Sequence, residues 1–141
     1  MNQEHNIRLQ KISEFAQNYL KESFEARSRK DKANLNQYLS NAEYRWKHTL
    51  RVAQFGKLIA ENETIDVELI IAACLLHDVA WFDTNAENSR EHGRIGAAKA
   101  RPLLENLKFD NAQIDNICYS IASHVDEENP DTLEARILSD A

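Results

Sequence analysis

Apolar residues recur along this chain at intervals of three, four and seven, and no run alternates apolar and polar for long. That is helical spacing. Three glycines and two prolines leave little turn chemistry to break it. The spacing predicts a first helix over about Asn6–Arg29, with Ile12, Phe15, Tyr19 and Leu20 on its buried side. A short one follows around Leu35–Leu39. A third, about Ala42–Ala60, carries Val52, Phe55 and Ile59 on one stripe. A fourth, about Asp66–Asp78, is apolar nearly all round, which belongs in the middle of a bundle.

A polar loop, WFDTNAENSREHG, then leads into a helix from about Gly93. Pro102 is expected to end or kink that helix, or to open a new short one. Asp110 with Gln113 reads as a capping box for a helix from Asn111 to about His124, and Asp131 with Glu134 as another for the last helix. The pattern predicts an all-α, single-domain helical bundle of about six to seven helices. Residues 1–40 are expected to form a helical extension packed on a domain of residues 41–141.

Composition narrows the class. At 141 residues the chain can bury a core without disulfides. Cys74 and Cys118 fall in apolar runs and read as reduced packing residues, which suits a cytoplasmic protein. The polar opening MNQEHNIRLQ lacks the apolar core of a secretion signal. Leu69–Leu76, the longest nearly apolar run, is far short of the ~20 residues that span a membrane. No membrane partner is expected. A net charge of −6 argues against a nucleic-acid partner, since phosphate backbones draw on clustered Lys and Arg. The basic-leaning stretch Lys21–Lys32 is interrupted by Glu22, Glu25 and Asp31 and reads as a solvated face.

The candidate chemistry comes from polar residues on apolar stripes. His48 shares the stripe of Val52, Phe55 and Ile59, and His77 that of Ile70 and Cys74. His124 continues Ile117 and Ile121, and Asp140 continues Leu133 and Ile137. Asp78 closes the most apolar helix. A buried carboxylate without a partner costs several kcal/mol, so it needs a cation. No inward Lys or Arg is evident apart from Arg45, and the partners on these faces are histidines. Imidazole with carboxylate suits a divalent transition metal.

RWKHTLRV (Arg45–Val52), CLLHDVA (Cys74–Ala80), EHGRIGA (Glu91–Ala97), IASH (Ile121–His124) and LEARILSDA (Leu133–Ala141) resemble, in order, the motif series of HD-superfamily metal-dependent phosphohydrolases. The resemblance runs from about Arg45 to the end and implies an HD-type helical fold. It implies that His48, His77, Asp78 and Asp140 hold one metal. His92 and His124 match the positions that hold a second ion, with Asp78 bridging, or that contact substrate phosphate where only one ion is bound. The expected cofactor is one or two divalent ions drawn from Mn, Fe, Co, Ni, Zn or Mg. Such an ion lowers the pKa of a bound water from 15.7 to ~7 and polarises a phosphoryl oxygen.

Arg45, three residues before His48, either reaches a phosphate with its fork of donors or pairs with a nearby acid. Arg94 is a weaker candidate of the same kind. Glu91 either orients a ligand imidazole or is a loop residue, and His5 is expected to be solvated. The implied function is metal-dependent hydrolysis of a phosphate ester, with a nucleotide or dinucleotide as the small-molecule substrate. Asp78, His92 and His124 are the expected catalytic residues, and Arg45 and Arg94 the substrate-binding ones. The pattern is similar to small bacterial HD hydrolases, including those that cut dinucleoside polyphosphates. Trp81 stands where the superfamily's cyclic-dinucleotide phosphodiesterases carry Lys, and their Gly-Tyr-Pro signature is absent. The alternatives are a non-catalytic HD module that binds a nucleotide or a protein partner, and a di-iron oxygenase on the same fold. Relatives continue with more helix past the Asp matched by Asp140, so either the sequence is a fragment or the metal site is weaker than the motif suggests. The oligomeric state is left open.

Overall fold

The computed structural model describes residues 2–30, 35–85, 87–126 and 129–141, with only the backbone for 35–41. Asp31 and Lys32 of the basic-leaning stretch, Ala86 of the polar loop, and Glu127 and Glu128 lie outside the described residues. Among the described residues there are six α-helices and no strand: α1 (Gln3–Lys30), α2 (Leu35–Glu61), α3 (Val67–Leu76), α4 (His92–Asn106), α5 (Asn111–Ser123) and α6 (Leu133–Asp140). Two short 3₁₀ turns, Trp81–Asp83 and Ser89–Glu91, lie between α3 and α4. No helix among these residues is long and apolar enough to cross a membrane.

α3 is the centre of the bundle. Asp66 caps it by accepting from the Glu68 N–H at 3.0 Å, and every residue from Glu68 to Leu76 is buried. α1 lays Leu9, Ile12, Ala16, Leu20, Phe24 and Ser28 inward at helical spacing and shares the main core with α3. The expected helices Leu35–Leu39 and Ala42–Ala60 are one continuous helix, α2. No proline or glycine interrupts residues 35 to 55, so nothing in that stretch favours a break.

The buried face of α2 also differs from the predicted one. Thr49, Val52, Ala53, Gly56 and Ala60 are buried, whereas Phe55 is exposed. These small residues let α2 approach α3 closely. A Cβ on Gly56 would meet the Cys74 sulfur at 2.6 Å.

Two further expectations change. Pro102 neither ends α4 nor opens a new helix, since α4 runs through it to Asn106. The missing N–H would have bonded the carbonyl of Ala98, and both residues are exposed, so water can serve that carbonyl. The cap of α6 is Thr132, whose hydroxyl accepts from the Ala135 N–H at 3.1 Å, while the Asp131 N–H donates to the Tyr119 hydroxyl. The capping box of Asp110 and Gln113 forms as expected.

Candidate metal centre

The site gathers on Asp78, two residues past the end of α3. α3 ends where His77 takes the C-cap position, and the chain turns through Asp78 into the Trp81–Asp83 turn. His77 and Asp78 are both buried at the end of the most apolar helix. Around them stand His48 from α2, His92 at the first residue of α4, and His124 capping α5.

The carboxylate divides the histidines into two pairs. Its Oδ2 lies 3.2 Å from His77 Nε2 and 3.5 Å from His48 Nε2. Its Oδ1 lies 3.1 Å from His92 Nε2 and 3.4 Å from His124 Nε2. His48, His77 and Asp78 thus form one triad of ligand atoms, and Asp78, His92 and His124 another, each within 4.8 Å.

Three of the rings are fixed from behind. Nδ1 of His77 donates to the Cys74 carbonyl at 2.6 Å, that of His92 to Ser89 at 2.5 Å, and that of His124 to Ile121 at 2.6 Å. A carbonyl only accepts, so the proton of each neutral ring sits on Nδ1 and Nε2 keeps its lone pair. Metal-ligating histidines are commonly oriented in this way. The Nε2 atoms of His92 and His124 then face each other at 3.0 Å, beside a carboxylate that only accepts. Acceptors at that spacing repel unless positive charge lies among them. The donor set therefore fits a divalent cation.

When protonated, the same rings supply that positive charge themselves. Burial alone would raise the Asp78 carboxyl, but the charge of His77 and the hydrogen bonds from His124, His77 and His92 hold it well below the usual range. Burial lowers His48 against the pull of Asp78. At His92 burial also works downward, yet the bonds to Asp78 and the Ser89 carbonyl raise it overall.

A cavity of about 340 Å³ opens on this cluster, lined by Arg45, Trp81, Ser89, Arg90 and Val125 as well as the site residues. Arg45 reaches Asp78 Oδ2 with Nη1 at 3.3 Å. Arg94, by contrast, is exposed, pairs with Glu91 and does not line the cavity. Arg90 takes the place expected of it, at the cavity mouth, with Nη2 donating to the Val125 carbonyl at 3.3 Å.

Asp140 is exposed and stands outside both triads. α6 buries Ala135, Ile137 and Leu138, while Leu133, its supposed stripe partner, is exposed, so the true buried face is turned away from Asp140. Its neighbour Ala141 lies near Gly56, eight residues beyond His48 and about 12 Å along α2. Sequence reading also missed Gly93. A Cβ there would meet the Ala122 carbonyl at 2.8 Å and the Ile121 carbonyl at 3.0 Å. This close approach brings His92 against His124, and a glycine directly after a candidate ligand was the available signal.

The HD domain family profile matches residues 45–141. Among curated proteins, Ribonuclease Y of Borrelia garinii subsp. bavariensis is 32% identical over 92 residues. Ribonuclease Y of Borreliella burgdorferi and that of Borreliella afzelii are each 30% identical over 92 residues. In each case the match covers 64% of this chain and 16% of the relative. No solved structure is matched significantly.

Proposed function

The chain belongs to the HD domain family, and from that premise we propose that it is a metal-dependent phosphohydrolase in which Asp78 would help to hold two divalent ions. The observation that carries this reading is the division of His48 and His77 from His92 and His124 across the two oxygens of Asp78. His48, His77 and Asp78 would hold one ion, and Asp78, His92 and His124 the other. Asp140 enters the first set through the family resemblance alone. When bound, such ions polarise a phosphoryl oxygen and acidify a coordinated water.

The chain's own residues supply orientation and binding. The Cys74, Ser89 and Ile121 carbonyls keep three imidazoles turned with Nε2 toward the cavity. Arg45 and Arg90 line that cavity and offer planar donor forks to phosphate oxygens. Its volume suits a ligand of nucleotide size. A nucleotide or dinucleotide phosphate ester is therefore the first reading of the substrate. The relatives named as ribonucleases favour a second, an RNA phosphodiester, against which stands the net charge of −6.

A panel of nucleotides, dinucleotides and short RNAs, assayed with Mn, Co, Ni, Zn and Mg, tests the proposal. Hydrolysis by the wild type and none by Asp78→Ala is the expected result. Wild-type rates in Asp78→Ala would contradict it. Metal analysis separates the rivals, since no metal favours a non-catalytic module and two irons an oxygenase.

A further inference from the structure

One contact in the site is not accounted for by ion ligation. Arg45 Nη1 stands 3.3 Å from Asp78 Oδ2, the same oxygen that faces His48 and His77. The guanidinium lies over the Trp81 ring, its central carbon 3.8 Å from the centroid, and Tyr44 is within 5.5 Å. Trp81 in turn meets His92 edge-on at 5.1 Å. The side chain of Arg45 is only 18% exposed. It comes from α2 one turn before His48, so the same helix sets the position of both.

We propose that Arg45 is a tethered counter-cation, which competes with a divalent ion for Asp78 Oδ2 and is released toward the substrate's phosphate when that ion binds. The inference rests on the metal-site reading above and adds an order of events to it. Like charges a few ångströms apart in a poorly solvated site repel strongly. A guanidinium at 3.3 Å from Oδ2 and an ion on that oxygen must therefore weaken each other. Stacking on Trp81 gives the guanidinium a second favourable contact and holds it in place. The coupling is reciprocal: an anion that draws Arg45 away from Asp78 must tighten the ion by the same factor. Arg45 thus answers both of its sequence readings, paired with an acid in one state and free to bind phosphate in the other.

Zinc titration of the full chain, followed by calorimetry and by tryptophan emission, tests this. Arg45→Gln removes the charge and should bind zinc about tenfold more tightly than wild type. Arg45→Lys keeps a cation and should stay near the wild type. Zinc should shift the tryptophan emission of the wild type, as the guanidinium leaves Trp81, and should shift that of Arg45→Gln less, since only the contact of Trp81 with His92 is then affected. Inorganic phosphate should tighten zinc in the wild type but not in Arg45→Gln. If the wild type binds zinc yet Arg45→Gln binds it no more tightly, the counter-cation role is wrong and the metal site stands. The wild-type arm is independent of any variant's folding: zinc saturation with no emission change also overturns the role. A wild type that binds no zinc removes the metal site and this inference together.

Discussion

α3 has a buried carboxylate near each end, and the two are met by different chemistry. Glu68, in the first turn, is fully shielded, and its two oxygens receive Nε and Nη2 of Arg8 at 2.9 and 2.5 Å. Arg8 is itself packed over Phe109, 4.3 Å from the ring centroid, and His5 Nε2 stands 3.6 Å from the same carboxylate. Both members of that pair carry fixed charge and two parallel bonds join them, so the arrangement is complete. Asp78, just past the other end, is as well buried but faces four imidazoles and one guanidinium nitrogen. Three of those imidazoles offer lone pairs rather than protons. Burial alone does not mark a functional carboxylate. What marks Asp78 is a set of partners that could themselves hold a metal ion, with a cavity opening onto them.

Substitution should separate the two ends sharply. Asp78→Asn is expected to abolish ion binding and hydrolysis, because an amide cannot bridge two cations. Glu68→Gln should leave both intact, as checked by zinc titration and a phosphate-release assay. On stability the order reverses. Arg8→Ala strands a buried charge and should cost about 3 kcal/mol in denaturant unfolding. The double variant Arg8→Met with Glu68→Leu should recover most of that loss, since no unpaired charge is left. A double variant as unstable as Arg8→Ala would show that packing, not charge, binds α1 to α3.

Gly93→Ala probes the Asp78 end from the backbone. The added methyl has carbonyl oxygens in its way, so α4 must move from α5 at a cost of about 1–3 kcal/mol. Ion affinity on the His92 side should fall with it, while the His48 side is retained. The mildest effect is one of pH. Protons compete with ions for Nε2, and His92 is raised where His48 is lowered, so on acidification the ion on the His92 side should be lost at a higher pH than the one on the His48 side, as zinc titrations across a pH series can show.

Much of this was legible in the sequence, and the misses share a cause. The all-round apolar run from Leu69 to Leu76 identified the central helix, and the motifs named His48, His77, Asp78, His92 and His124, which the fold brings together around one carboxylate. Side-chain periodicity was less reliable at the edges. Phe55 and Leu133 were placed inward as apolar residues at helical spacing, yet α6 buries Ala135 and α2 buries Gly56 and Ala60, where close helix approach selects small residues. Asp140 was read from the same stripe, and it lies on the exposed face of α6. The pairing of Arg8 with Glu68 was missed because 60 residues separate them. Each alone reads as a charged position in a helix's first turns. His5, expected to be solvated, is half-buried beside that pair.

The most direct measurement of the bridging role proposed for Asp78 is metal stoichiometry in chelator-free wild type, His48→Ala and His124→Ala, determined by elemental analysis. Two ions on Asp78 predict about two equivalents in the wild type and about one in His124→Ala. His48→Ala should likewise lose the ion held with His77. Wild-type stoichiometry and wild-type kinetics in His124→Ala would reduce that residue to a packed core histidine and contradict the account.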